Sequence, residues 1–182
     1  MLLDFLAYAV IPVYTILFAG KTDWISANFS IIRNFGLRKT AFVLWGMILV
    51  FYFYISMRDI VNSSVSNRAE QLLSRASLCL LIFTVLTPYR PEEFPFFSSL
   101  HVWFAFSCPA VLMLCLLVIL LRCRKRNPRL YLPYLFGFWG IVSASFAFYL
   151  SAGMINSALE VFFVISCSLL VRRIHRRVAD QA

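Results

Sequence analysis

Apolar residues run through this chain in six long blocks separated by short polar stretches. They show neither the alternation of a half-buried strand nor the three-to-four spacing of a water-facing helix. The block that follows His101 sets the pattern. Residues 102–121 contain no charged side chain, and about 20 apolar residues in helical form cross the hydrocarbon core of a bilayer. Comparable blocks predict helices over 2–20, 41–57, 69–87, 131–150 and 154–171. With 101–121 they make one domain, an all-α bundle of six transmembrane helices. Starting the third helix at Ala69 instead of Ala76 gives it a full span and lets Arg75 snorkel to the surface. Pro88 ends that helix, Pro12 predicts a kink in the first, and Pro109 lies inside the fourth. The first block carries Asp4 in place of a basic leader and ends without a small-residue cleavage pattern, so it reads as an uncleaved helix and not as a signal peptide.

The ends of the blocks orient the bundle. Five Arg or Lys residues fall within the eight positions 122–129, and positive charge of this density marks a cytoplasmic loop. With six spans the two termini share that side, which then holds twelve of the seventeen Lys and Arg residues. Trp24, Trp45 and Trp103 fall near the outer surface, and Tyr52, Tyr54, Tyr131 and Tyr134 near the inner one, in the manner of aromatic belts. Trp24, Phe29 and Phe35 alternate with polar residues in the first outer loop, which is expected to lie along the interface. The connection 58–75 is expected to lie along the inner surface. The flanked His175 reads as a residue of the cytoplasmic tail.

Composition sharpens this picture. Of 182 residues, 62% are hydrophobic and 14% charged, where a soluble domain needs about a quarter charged. A net charge of +9 would suggest nucleic acid in a soluble protein. Here the cations sit at the ends of apolar segments, facing lipid phosphates, so no nucleic-acid partner is expected. Four of the five cysteines lie inside apolar blocks and no CxxC pair exists, which favours free thiols filling helix contacts.

Candidate chemistry gathers on one side. Glu160 lies six residues into the last block, about 9 Å along a helix axis, and Asn156 is one turn earlier. Ser143 and Ser145 belong to the same outer half, and His101 enters at a similar level beneath Arg90, Glu92 and Glu93. Ser26 and Asn28 come from the first outer loop, where Asn28-Phe29-Ser30 fits a glycosylation sequon. The candidate binding cluster is therefore His101, Glu160, Asn156, Arg90, Glu92, Glu93 and Ser26. Ionisable groups at bilayer depth are costly and mark function. The alternative readings are structural: Glu160 protonated or paired with His101 or Arg90 to lock helices, His101 bonded to the loop backbone, and the two loop glutamates solvated. No GxSxG, HExxH or phosphate-cradling glycine loop is present. A zinc site wants three or four ligands, and the outer side holds one histidine, so neither metal nor cofactor is expected. A Ser26–His101–Glu160 arrangement has no support from spacing.

Three features carry a family resemblance. They are the segment Ile25-Ser26-Ala27-Asn28-Phe29-Ser30 before the second helix, the third helix ending at Pro88 with a loop running into His101, and the small-residue turn before Glu160. In these the chain resembles the six-helix membrane proteins grouped around the damage-regulated autophagy modulators and the GPI-lipid-remodelling factors, with their prokaryotic relatives. The resemblance implies a six-helix fold and an association with lipids or membrane trafficking more than a reaction.

The expectation is a non-enzymatic multi-pass protein of the plasma (cytoplasmic) membrane. Its outer-leaflet polar pocket would hold a lipid headgroup or a membrane-protein partner, a second copy of itself included. The alternatives are a substrate-binding subunit of a small-molecule transporter, and an intramembrane lipid hydrolase or transferase using His101 with an outer carboxylate.

Overall fold

The computed structural model describes residues 1–34, 36–62 and 68–180. Phe35, expected in the first outer loop, and residues 63–67 of the inner connection lie outside the described residues. Seven helices and no strand occur among those described: α1 Leu2–Ala19, α2 Phe29–Ile32, α3 Arg38–Asn62, α4 Arg68–Leu86, α5 Pro95–Arg126, α6 Pro128–Ala152 and α7 Ser157–Ala179. All but α2 are long. Five of them, α1, α3, α4, α5 and α6, are apolar enough over 18 or more residues to cross a membrane. The first 18 residues of α7 carry Glu160, Arg172 and Arg173, so it is a more polar helix than the block 154–171 suggested.

The boundaries differ from expectation for local reasons. The fourth long helix, α5, begins at Pro95 and not at His101. Proline's missing N–H and fixed φ suit the first turn of a helix, so a stretch that reads as a proline-rich loop becomes its first two turns. At its other end, α7 runs through the arginines to Ala179, so His175 belongs to the helix and not to a tail. In α1, a π-turn over Leu6–Val10 precedes Pro12 and absorbs the backbone mismatch the proline creates. Gly153, at φ +67°, ends α6 in the left-handed conformation that glycine adopts without a Cβ penalty.

Helices α3, α4, α5, α6 and α7 form a closed ring in which each packs on the next and α7 returns to α3. The first helix fills the outer groove between α3 and α7. At Gly46 α3 approaches α4 so closely that a Cβ would overlap the Val85 side chain.

Three aromatic residues read as interfacial are interior ones. Trp45 is buried in a cluster with Phe18, Phe29 and Phe42, and its indole N–H donates to Thr15 Oγ1 at 2.9 Å. Tyr52 is fully buried, and its hydroxyl donates to the Ser168 carbonyl at 2.7 Å. Tyr131 is likewise buried, whereas Trp103 and Tyr54 are exposed as belt residues would be. Much of the outer surface is large and apolar, with Leu17, Leu72, Phe136 and Phe146 all largely uncovered. Large apolar side chains exposed in this number suit a surface that faces lipid.

Candidate functional site

The first outer loop folds down onto the ring. Asn28, in extended conformation, accepts the Ile31 N–H with its side chain at 2.9 Å and so starts the single turn α2. The carbonyl of Ala27 accepts both the backbone N–H of Ser157, at 2.7 Å, and its hydroxyl, at 2.9 Å. The Trp24 carbonyl accepts the Ala158 N–H at 3.0 Å. The loop is thereby fastened over the start of α7. Asn156 caps that helix by accepting the Leu159 N–H at 2.9 Å and is itself buried.

Two of the expected site residues grip adjacent positions of this turn. Glu160 Oε2 accepts the Phe29 N–H at 2.7 Å, and His101 Nε2 lies 2.6 Å from Ser30 Oγ. His101 and Glu160 do not pair with each other; each meets α2 instead. The other imidazole nitrogen, Nδ1, is 3.0 Å from the Thr87 carbonyl. A carbonyl can only accept, so Nδ1 carries a proton; when the ring is neutral, Nε2 accepts from the Ser30 hydroxyl. The ring is 1% exposed.

Arg33 completes the inward side of the loop. It is buried, its guanidinium donates to the same Thr87 carbonyl at 3.0 Å, and it lies 4.7 Å over the Phe42 ring. Burial, and secondarily the charge of Arg90, lower its pKa from the ordinary arginine value. The sequence counted Arg33 only as a loop charge.

Below α2 the helices line a cavity of about 570 Å³ that opens sideways past the exposed Phe106, Phe146 and Tyr149. Ser30 and Glu160 lie at its wall, as do Ser145 of α6 and Cys167 of α7. The remaining lining is almost wholly aliphatic and aromatic, including Leu81, Phe106, Met113 and Phe163. Ser145 Oγ is buried there with no hydrogen-bond partner.

The other expected residues stand apart. Ser26 Oγ donates to Asp23 Oδ2 at 2.8 Å on the exposed side of the loop, and the Ile25 N–H with the Ser26 hydroxyl holds the Asp23 carboxyl below its usual range. Arg90 pairs with Glu93 at 2.9 Å, both exposed, and Glu92 is exposed too. Ser30 takes the place given to Ser26. A signal for it existed in the sequence: Asn28 is a helix-capping residue, which puts Ser30 on a helical turn.

The opposite end of the bundle holds a second set of charged side chains. Asp4 accepts from Arg172 Nε at 2.9 Å and Nη2 at 2.7 Å, with Arg176 at 2.5 Å. His175 joins Arg172, at 2.7 Å, to Asp59 of α3, at 3.2 Å. Glu70, fully buried, meets Arg122 at 2.6 Å. These contacts put the start of α1 and the end of α7 at the same end of the bundle.

Fold and surface together define a multi-pass integral membrane protein with a polar site at one end of an apolar chamber. No family model, curated protein or solved structure matches this chain.

Proposed function

We propose that this protein crosses the membrane six times, α7 included, with both termini cytoplasmic, and that it takes up a single membrane lipid. The acyl chain enters the ring cavity and the headgroup stays at α2. The observation that carries the reading is the chamber itself. At about 570 Å³ it falls within the roughly 300–1,000 Å³ of small-molecule sites, and such sites combine an apolar lining with a few placed polar groups. Ser30, Glu160 and Ser145 are those groups. The orientation rests on the basic run 122–129 and the arginines of α7. Arg129, Arg173 and Arg177 also surround a second hollow beside Tyr134 and Pro133, placed to meet anionic headgroups of the cytoplasmic leaflet. The plasma membrane and kinship with the lipid-remodelling six-helix family belong to the same reading.

The test is lipid retention. Native mass spectrometry of the protein released from mild detergent is expected to show one bound lipid per chain. Ser145→Trp, which fills the chamber, is expected to reduce occupancy at least tenfold. A wild-type chain that elutes free of lipid, or a Ser145→Trp chain that holds as much as wild type, removes the proposal.

A further inference from the structure

We infer that Ser30 and His101 form a nucleophile–base pair that cleaves or transfers the ester-linked acyl chain of the lipid, an inference that rests on the uptake reading above. Three observations converge on it. The Ser30 hydroxyl lies 2.6 Å from His101 Nε2, within the reach a general base needs. The imidazole is fixed in the tautomer that can take a proton, because Nδ1–H is held by the Thr87 carbonyl at 3.0 Å. That carbonyl occupies the place a carboxylate takes in many such pairs and serves the same orienting end. Finally, Ser30 is in the wall of the cavity while the ring behind it is 1% exposed. A substrate in the chamber therefore meets the hydroxyl first, with Nε2 directly behind it for the proton transfers.

The chemistry balances with the lipid and water alone. Ser30 Oγ attacks the ester carbonyl carbon as its proton passes to His101 Nε2. The tetrahedral adduct collapses by breaking the bond to the alcohol oxygen of the lipid, which departs with the proton from Nε2. The acyl chain is then esterified to Ser30. Water, or the hydroxyl of a second lipid, gives its proton to Nε2 and attacks that carbonyl. Ser30 Oγ leaves with the proton, releasing a fatty acid in the first case and a new ester in the second. Glu160 is a positioning residue: by accepting the Phe29 N–H at 2.7 Å it holds the turn from which Ser30 projects.

A bond that merely fastened α2 to α5 would leave the serine with ordinary reactivity, and that difference is measurable. The full chain, in nanodiscs of phosphatidylethanolamine and phosphatidylglycerol, is treated with a long-chain alkyl fluorophosphonate and mapped by peptide mass spectrometry. The expected result is a single adduct on Ser30, lost in Ser30→Ala and formed at least about 100-fold more slowly in His101→Gln. Because His101→Gln also removes a buried contact, Ser30→Cys supplies an independent measure. Its thiol should alkylate with a pH midpoint below the ordinary ~8.5 if the imidazole activates this position. An unlabelled Ser30 in protein that still carries lipid overturns the chemistry and leaves the uptake reading standing, and so does an ordinary midpoint in Ser30→Cys. Wild-type protein that carries no lipid removes both.

Discussion

The two ends of the bundle use polar side chains in opposite ways. At the end holding the start of α1 and the end of α7, carboxylates meet guanidinium groups: Asp4 is shared by Arg172 and Arg176, and Glu70 faces Arg122. Each pair joins separate helices, α1 to α7 and α4 to α5. At the α2 end the contacts are between neutral partners or with backbone: a hydroxyl to an imidazole, an imidazole to a carbonyl, a peptide N–H to Glu160. These surround a cavity, whereas the ion pairs are wedged between helices. Opposite charges in direct contact satisfy each other and leave little to offer a ligand. A hydroxyl held by a neutral imidazole at a cavity wall keeps its reactivity available.

The sharpest way to break this contrast is to remove one partner of a buried ion pair. Glu70→Ala leaves Arg122 without its carboxylate, and stranding a buried charge costs about 3–5 kcal/mol. The lower end is expected, because Arg122 keeps 19% of its side chain exposed. Thermal unfolding in detergent reads the loss. Replacing both residues by Leu should restore most of it, since a packed apolar pair often replaces a buried ion pair at no cost. Lipid retention should follow stability in these variants and show no separate defect. A double Leu variant that unfolds as readily as Glu70→Ala would mean the pair does more than join α4 to α5.

At the α2 end the corresponding change is Glu160→Ala. It strands the Phe29 N–H, at an expected cost of about 1–3 kcal/mol. Glu160→Gln retains an acceptor oxygen and should cost less than about 1 kcal/mol. Both substitutions should also change lipid occupancy, which the Glu70 variants should not. Equal losses from Ala and Gln would show that the carboxylate charge, and not its acceptor oxygen, holds the turn.

How much of this was legible in the sequence follows the same division. Long uncharged blocks report helices directly, because a bilayer-crossing helix needs little else. The stretch 95–100 escaped, since proline marks both loops and helix starts. Glu160 and His101 were visible as polar groups near bilayer depth. Their partner was not, because Ser30 and His101 are 71 residues apart and only folding brings α2 over the ring. The ion pairs of the other end were hidden differently. Counting Arg172 and Arg122 as topology signals sums their charges without asking what each one faces, so the carboxylates of Asp4 and Glu70 went unmatched.

The smallest effect expected belongs to the most conspicuous charges of the sequence. Arg90, Glu92 and Glu93 stood in the expected site, yet Arg90 and Glu93 pair in the open with about half of each side chain exposed. An exposed pair of this kind contributes about 0–1 kcal/mol. What ties Arg90 to the fold is its backbone N–H, which donates to Ser98 Oγ at 2.9 Å and survives any side-chain change. Its guanidinium also repels that of buried Arg33, so Arg90→Ala removes an unfavourable contact along with a favourable one. The two losses offset, and Arg90→Ala should move the unfolding midpoint by no more than about 0.5 kcal/mol in stability. Lipid occupancy and fluorophosphonate labelling should match wild type. If Arg90→Ala instead lowers occupancy as far as Glu160→Ala does, the lipid headgroup reaches past α2 to the loop before α5, and the polar end of the site extends outward beyond Ser30.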